Sequence, residues 1–336
     1  MAGTPTIKDV AKLAGVSIST VSRVMNDSKP VSPESRRKVL DAIQKLDFKP
    51  NELARSLVMK RSNLIGVVVK DIGIPYMASI IRGIEEIGKM YKFDILLSSS
   101  YGDEDSELDT VQFMFTKQVD GVILISENTT ERVVDAIKEH RLPFIILDRI
   151  YEQSKISTVD VDYDQAVQMT VDFFEQMGHT EVLLAGQHKD SRSGAEKHQA
   201  FREAVRARGW KEHFVPVPGN SYKIYSEHAH EIAEYCREHG ITGVFCMDDT
   251  LAVALMNHLY DAGVKVPEEI SVFGFGDEPF SSVYRPLLST IRIPYYDIGA
   301  IAMRKLIKHL RKEEMMSETT VVPTQLIKRD SVAQLH

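Results

Sequence analysis

The N-terminal segment places its apolar residues at helical spacing. Thr6 precedes one such run and Gly15 follows it, which predicts a short helix with an N-cap and a C-cap. Ser17 can cap a second helix, and a third is predicted over 33–46. The apolar positions expected to form the core of this three-helix module are Ile7, Val10, Ala11, Ala14, Val21, Val24, Val39, Leu40, Ile43 and Leu46.

From Asn63 onward, short apolar runs alternate with amphipathic helical segments. The runs LIGVVVKD, DILLSSS, GVILIS, FIILDR and STVDVD form a first series, with helices expected near 76–91, 104–117, 129–139 and 164–177. A second series consists of EVLLAGQ, VPVPG, GVFCMDD and SVFGFGD. Such alternation predicts an α/β fold with parallel sheets covered on both faces, and two series predict two lobes. The expected organisation is a helical module over 1–49, a linker over 50–62 and a two-lobed core over 63–336.

Charge is divided unevenly between these parts. The 336-residue chain has a net charge of -7, but residues 1–61 hold 12 Lys and Arg against 6 Asp and Glu, which gives +6. The remaining residues therefore carry a net charge of -13. A basic module suits a polyanion, whereas the acidic body opposes nonspecific adhesion to it.

Several classes of protein are not indicated. No apolar run approaches the ~20 residues that cross a bilayer, so no membrane partner is expected. Lys8, Asp9 and Lys12 interrupt the region where a secretory signal needs an apolar core, so we expect a cytoplasmic protein. Cys236 and Cys246 form no C-x-x-C pair, and neither a metal site nor a cofactor is predicted. The common motifs of nucleotide-binding and hydrolytic enzymes are missing, so we expect no enzyme.

The second predicted helix leaves short polar groups and one cation on its outer face. A helix, a tight glycine turn and a second helix together are typical of the helix-turn-helix, whose second helix enters the major groove of DNA. An ordinary three-helix bundle with a polar face is the alternative. The outer-face residues are Ser19, Thr20, Ser22 and Arg23.

The segments TIKDVAKLAGVSISTVSRVMND and VSPESRRKVLDAIQKLDFKPNELARSL resemble the headpiece of the lactose repressor family of bacterial transcription regulators. The resemblance implies that Ile18, Ser19 and Arg23 read base edges of a double-stranded operator. Arg23 can bind a guanine through two hydrogen bonds, whereas phosphate contacts fix register without reading sequence. The residues that the resemblance assigns to the DNA backbone are Ser17, Thr20, Ser22, Asn26, Ser32 and Arg36, with Asn51 as a further DNA contact.

The linker over 50–62 contains apolar residues that a free linker would not need. In the resembled family this segment is a hinge helix that folds on DNA, where two copies insert a leucine into the minor groove. The resemblance places Leu57 at that position with Val58 beside it. An apolar wedge of this kind unstacks a base step and bends the duplex. Packing of Leu57 on the headpiece is the alternative.

Polar residues end most of the predicted strands in the core. Because ligands of open parallel sheets bind at the carboxyl ends of strands, these residues predict a polar cleft. The candidate cleft residues are Asp71, Ser98, Ser100, Asp148, Arg149, Lys197, Asp248 and Asp277, with Ser126 and Asp249 as further polar residues at strand ends.

The core resembles the periplasmic-binding-protein-like core of the same family and ends in VVPTQLIKRDSV, which matches the family's final strand. This resemblance implies a homodimer in which effector binding changes the spacing of the hinge helices. Two positions depart from the sugar-binding pattern, because Lys197 replaces an arginine and Gly276 replaces an aspartate. Losing these hydrogen bonds argues against a conventional sugar pocket.

The segment YRPLLSTIRIPYYDIGAIAMRKLIKHL resembles the branch of the family that controls carbon catabolism. In that branch the corepressor is the phosphocarrier protein HPr phosphorylated on a serine. The resemblance implies a partner surface that includes Tyr296, Asp297, Ala300, Met303, Arg304 and Lys308. A sugar or sugar phosphate in the cleft remains an alternative effector. A solute-binding protein without DNA function is a further alternative, which the basic module and the missing signal peptide oppose.

Overall fold

The computed structural model describes residues 5–26, 29–48, 61–126, 129–147, 158–187, 192–219, 221–313 and 319–335, without the side chain of Asn26. The chain divides into two compact units, Met1–Ser62 and Asn63–His336. None of the helices within the described ranges combines the length and the apolar character that crossing a membrane requires.

The first unit contains helices α1 (Ile7–Ala14), α2 (Ile18–Asn26) and α3 (Pro33–Leu46). The predicted caps of α1 are confirmed: the Asp9 carboxylate accepts hydrogen bonds from the Thr6 backbone and hydroxyl at 2.8 and 2.7 Å, and Gly15 ends the helix at φ 65°. The Ser17 hydroxyl accepts from the Thr20 N–H at 3.2 Å, which caps α2 as expected. Buried apolar residues from the three helices, together with Phe48 just after α3, form the core: Val10, Ala11, Ala14, Val21, Val24, Val39, Ala42 and Phe48.

Leu40 is not part of this core. It is 52% exposed, because α3 turns Val39 and Ala42 inward and Leu40 lies on the opposite face. An α-helix turns by about 100° per residue, and on α3 this rotation carries Leu40 away from the side that Val39 and Ala42 bury. The prediction for Leu40 was therefore wrong.

The second unit contains two six-stranded sheets, and its α/β fold with two lobes is confirmed. The first lobe is built on a wholly parallel sheet in the order β11-β5-β4-β3-β1-β2, and the second on the order β12-β10-β9-β8-β6-β7, in which β12 alone pairs antiparallel. The strands are β1 (Leu64–Val69), β2 (Asp94–Ser99), β3 (Gly121–Ile125), β4 (Phe144–Leu147), β5 (Thr158–Val161), β6 (Val182–Gly186), β7 (His213–Pro216), β8 (Gly243–Cys246), β9 (Ser271–Gly276), β10 (Ser289–Arg292), β11 (Thr319–Val322) and β12 (Gln325–Ile327). The helices are α4 (Met77–Met90), α5 (Glu104–Thr116), α6 (Glu131–Glu139), α7 (Tyr163–Gln176), α8 (Arg192–Ala207), α9 (Tyr222–His239), α10 (Asp249–Asp261) and α11 (Tyr295–Leu310), with a 3₁₀ turn at Pro279–Ser282.

The predicted final strand is divided in two. β11 pairs with β5 in the first lobe, whereas β12 pairs with β10 in the second. Pro323 lies between them and has no N–H to donate to a ladder, so the chain leaves one sheet there before it enters the other. The single strand expected over VVPTQLIKRDSV is therefore corrected to two short strands in different lobes.

Helices α4 and α11 approach each other closely in the first lobe. A Cβ added at Gly83 would lie 2.1 Å from the Tyr296 carbonyl oxygen, and one added at Gly299 would lie 2.0 Å from the Ile80 carbonyl oxygen. Only glycine permits backbones to pack at this distance. This contact fixes the position of α11, which begins at the cavity described below.

Candidate functional site

The outward face of α2 presents the residues expected to contact DNA. Ile18 is 44% exposed, and Ser19 and Arg23 are also exposed. The Ser17 hydroxyl lies 2.7 Å from that of Ser19 and 2.8 Å from that of Thr20, so the start of the helix carries a cluster of hydroxyl groups. Backbone N–H groups at a helix N-terminus and neighbouring hydroxyls suit a phosphate oxygen.

The other candidate DNA contacts are distributed around this face. Ser22 is partly exposed on α2. Ser32 caps α3, where its hydroxyl accepts from the Ser35 N–H at 3.3 Å, and Arg36 lies one turn further on with partial exposure. The side chain of Asn26 and the residues Asn51, Leu57 and Val58 lie outside the described part of the structure.

The second unit contains a cavity of about 160 Å³ between its lobes. It lies at the carboxyl ends of both sheets, where open α/β sheets place their ligands. The first lobe contributes residues that follow β1, β3 and β5 and the starts of α4 and α11. The second lobe contributes residues that follow β6, β8 and β9 together with α8 and α9. This volume is close to that of an engineered cavity known to hold a single six-membered ring.

Two of the predicted cleft residues, Lys197 and Asp248, line this cavity. The Lys197 ammonium donates to the Met247 carbonyl oxygen at 3.1 Å and lies 4.2 Å from the centre of the Phe275 ring. Asp248 caps α10 by accepting from the Leu251 N–H at 2.8 Å, and it accepts from the Tyr225 hydroxyl at 2.5 Å. The polar residues Ser126 and Asp249 also line the cavity.

Four predicted cleft residues lie elsewhere, and their assignment is corrected. Asp71 accepts from the Gly73 N–H at 2.8 Å in a tight turn, and the buried Ser100 hydroxyl donates to the Val69 carbonyl at 3.3 Å. Ser98 lies within β2, an edge strand. Asp277 forms ion pairs with Arg292 at 2.6 Å and Arg329 at 2.5 Å, which hold its carboxylate away from the cavity. Asp148 and Arg149 lie outside the described residues.

The cavity is also lined by aromatic residues, which the pattern of polar strand ends did not predict. Tyr76 and Tyr295 stack with ring centres 4.8 Å apart. The Lys197 ammonium lies 5.3 Å from the ring centre of Tyr163 and 4.2 Å from that of Phe275, and these two rings neighbour each other. One signal in the sequence could have identified the stacked pair, because Ile-Pro-Tyr occurs twice, at 74–76 and 293–295, just before α4 and α11.

The second lobe also contributes buried carboxyl groups. Asp249 accepts hydrogen bonds from the Glu278 N–H, the Ser281 hydroxyl and the Thr290 hydroxyl at 2.7, 2.7 and 2.6 Å. Burial nevertheless raises the pKa of Asp249 to about 6. Burial, reinforced by the neighbouring carboxylates of Asp249 and Asp248, raises the pKa of Glu278 to about 7.

The expected corepressor surface is only partly exposed. Tyr296 is 38% exposed, and its hydroxyl donates to Glu86 on α4 at 2.7 Å. Asp297, Arg304 and Lys308 are exposed. Ala300 and Met303 are 2% and 0% exposed, because they face α4 at the close contact of the two helices, so their assignment to the surface is corrected.

Glu86 of α4 links the two helices of this surface, because it accepts the hydrogen bond from Tyr296 of α11. It also accepts from Arg82 at 3.0 Å, and the hydrogen bonds from Tyr296 and Arg82 lower the pKa of its carboxyl. Arg304 lies two turns beyond Tyr296 on α11 and is exposed. The exposed face of α4 and α11 therefore carries several cations beside a tyrosine. Within the described ranges, no group of three or more His, Cys, Asp or Glu side chains could hold a metal ion.

Comparison with known proteins gives consistent matches along the chain. Residues 6–51 match the model for bacterial regulatory proteins of the lacI family, and residues 171–332 match that for a periplasmic binding protein-like domain. Catabolite control protein A of Priestia megaterium is 34% identical over 97% of this chain and 98% of its own length. The crystal structure of the transcription regulator CcpA of Lactococcus lactis is 26% identical with a TM-score of 0.71 and covers 80% of this chain and 98% of that one. The lac repressor dimer bound to operator and an anti-inducer has a TM-score of 0.88 at 22% identity, over 98% of this chain and 100% of that one.

Proposed function

Because the chain belongs to the lacI family of bacterial regulatory proteins, we propose that it is a homodimeric repressor of carbon-catabolite genes whose affinity for a pseudo-palindromic operator is set by an effector. The family makes the protein a DNA-binding transcriptional regulator and not an enzyme. Its relatives include the catabolite control proteins. Its place of action is then the cytoplasm, where the operator is.

The first unit supplies the operator-binding surface of this proposal. α2 enters the major groove, where Arg23 donates to a guanine and Ile18 contacts an apolar base edge. The hydroxyls of Ser17, Thr20 and Ser32 hold phosphates and set the register. Two copies related by a twofold axis read two half-sites of opposite orientation. In this proposal the segment with Leu57 and Val58 bends the operator at its centre.

The exposed cationic face of α11 carries the proposal of a protein effector. Arg304 and Lys308 are four residues apart on one side of the helix, and nearer its start Tyr296 contacts Glu86 of α4, which Arg82 also contacts. A phosphoserine carries close to two negative charges, and arginine binds such a group through paired hydrogen bonds. Serine-phosphorylated HPr is accordingly the proposed corepressor. Its binding tightens the operator complex if it prefers the DNA-bound form of the dimer.

The cavity supports a second candidate effector, a sugar or sugar phosphate. Its position at the ends of both sheets means that a ligand would contact both lobes and fix their relative position. The two effectors are compatible, because the exposed face of α11 and the cavity at its first turn are different surfaces.

Operator binding in the presence of HPr tests the proposal. A labelled palindrome selected from a random DNA pool is titrated with the protein alone, with HPr and with serine-phosphorylated HPr, and anisotropy is measured. We expect tightening by the phosphoprotein alone, loss of that tightening in Arg304→Ala, and no change in the control Lys265→Ala, which removes an exposed cation from the second lobe.

The negative outcomes are distinct. If the wild-type protein does not respond to serine-phosphorylated HPr, the protein-corepressor proposal is contradicted and the cavity effector remains. If no operator is selected from the pool, the repressor proposal itself is contradicted. If Lys265→Ala weakens the response as much as Arg304→Ala, the effect comes from overall charge and not from α11.

A further inference from the structure

Acidic side chains outnumber basic ones among the described residues that line the cavity between the lobes. Among the described residues that line it, four carry carboxyl groups and two carry ammonium groups. Asp160 is compensated by Arg192 at 3.6 Å, and the Lys197 charge offsets that of Asp248. The hydroxyl and backbone donors around Asp249 satisfy its oxygens but bring no positive charge. This lining suits a neutral or cationic ligand better than a phosphate group, so of the two small effectors proposed above it favours the sugar over the sugar phosphate.

Glu278 is the carboxyl group in the cavity that lacks a protein partner. The residue is 9% exposed, and within the described part of the chain no donor lies within hydrogen-bond distance of its carboxyl oxygens. Its oxygens are not among the fully buried unpartnered atoms of the described residues, so they open to the cavity, and carboxyl groups in such places take a donor from protein, water or ligand. Its side chain lines the cavity, so the donor that completes it comes from the cavity side.

The backbone around Gly276 explains why the carboxyl group comes from position 278. Gly276 has φ 133°, a conformation that disfavours a side chain, so an aspartate there would be strained. A Cβ added at Gly276 would lie 3.8 Å from Cγ of Glu278. The Glu278 side chain therefore reaches the region that a side chain at position 276 would occupy.

We propose that the cavity binds a single-ring polar ligand with a protonated amine, and that the Glu278 carboxylate holds the ammonium group. The inference rests on the proposed function, since it names the chemical class of the small effector. The volume of about 160 Å³ suits one ring, and the stacked pair of Tyr76 and Tyr295 offers an aromatic surface to it. Aromatic rings also attract the ammonium group itself.

Three ring-matched probes of different charge test this inference. Glucosamine, glucose and glucose 6-phosphate are titrated into the full-length protein in an isothermal calorimeter, at a pH where the amine is protonated. A charge-assisted hydrogen bond to a buried carboxylate predicts that glucosamine binds at least about tenfold more tightly than glucose. Glucose 6-phosphate should bind most weakly. In Glu278→Gln we expect glucosamine and glucose to bind about equally, whereas Glu269→Gln, which changes an exposed carboxylate of the same lobe, should keep the wild-type preference.

Other results would overturn the inference. Equal or tighter binding of glucose or glucose 6-phosphate by the wild type contradicts it, as does the absence of binding by all three probes. A preference for glucosamine that persists in Glu278→Gln would assign the ammonium group to another carboxylate. Operator binding without any sugar is measured on the same preparations, so a failure here is separate from a failure of the regulator proposal. Circular dichroism of each variant confirms that it is folded.

Discussion

The close contact between α4 and α11 predicts that replacing a helical glycine by alanine lowers the stability of the protein, whereas this replacement usually raises it. Replacing a glycine by alanine inside a helix normally stabilises it by up to about 1 kcal/mol. In Gly83→Ala the new Cβ would lie 2.1 Å from the Tyr296 carbonyl oxygen and 2.9 Å from the Ala300 nitrogen. Both are backbone atoms of α11, so no side chain can rotate to make room.

The magnitude follows from the separation that the helices must accept. An ordinary contact to a backbone oxygen needs about 1 Å more than the structure provides, and overpacking of this kind costs about 1–3 kcal/mol or more. Separating the helices also loosens buried residues beside the contact, such as Ile84 and Met303. We expect a net loss of about 2–4 kcal/mol, which corresponds to a melting temperature lower by about 5–15 °C for a unit of this size.

Urea unfolding followed by circular dichroism measures the loss. Gly88→Ala is the matched control on the same helix, because its new Cβ would lie 3.2 Å from the Met303 methyl group and the Phe93 carbonyl oxygen. Those contacts can relax by a few tenths of an ångström, so the control should change stability little. If Gly83→Ala is as stable as the wild type, the two helices do not pack as closely as the structure shows, and the reasoning fails.

The remaining predictions concern charge and recognition. Glu278→Gln tests the raised pKa: the carboxyl pKa is about 7 in the folded protein and 4.5 as the ordinary value, so its contribution to stability falls as pH rises between them. The variant should match the wild type near pH 5 and exceed it near pH 8 by at most about 3 kcal/mol in urea unfolding; an equal difference at both values would contradict the assignment. Thr6→Ala should destabilise α1 by about 1 kcal/mol in thermal melts, and an unchanged melt would show that the cap is unimportant. Arg23→Ala should relax operator specificity whereas Arg36→Ala should weaken all DNA alike, as measured on a panel of operator variants; parallel losses would count against base reading by Arg23. Leu57→Ala should reduce operator bending in a gel-shift assay, and unchanged bending would remove the wedge from the proposal.

Local signals in the sequence predicted the elements well, because caps and periodicity act over a few residues. Thr6, Gly15 and Pro33 mark helix ends that the structure reproduces. Periodicity did not show how wide the buried face of α3 is: Val39 is buried, whereas the adjacent Leu40 is exposed. It also could not show that Pro323 separates strands of two different sheets.

The cavity was harder to predict, because tertiary contacts determine it. Lys197 and Asp248 were identified from the strand ends and family positions, but Asp277 occupied a similar place in the pattern and is held by two arginines. The stacking of Tyr76 on Tyr295 joins helices that are distant in sequence. The burial of Ala300 and Met303 likewise depends on α4, which no property of α11 alone reveals.

The division of the late strands between the lobes has a consequence for biosynthesis. β11 pairs with β5, and the Thr319 and Thr158 hydroxyls hydrogen-bond at 3.0 Å across 161 residues. On the ribosome, β1–β5 emerge long before α11 and β11. Until those two elements have been synthesised, the first lobe is incomplete, with one sheet edge and one apolar face uncovered. A Cβ added at Gly121 would lie 3.1 Å from the Leu306 side chain, so α11 covers this part of β3 only after α11 has been made. Most of the second lobe is synthesised in this interval, so the lobe whose synthesis begins first is completed last. Nascent chains of intermediate length therefore expose apolar surface of the kind that chaperones recognise.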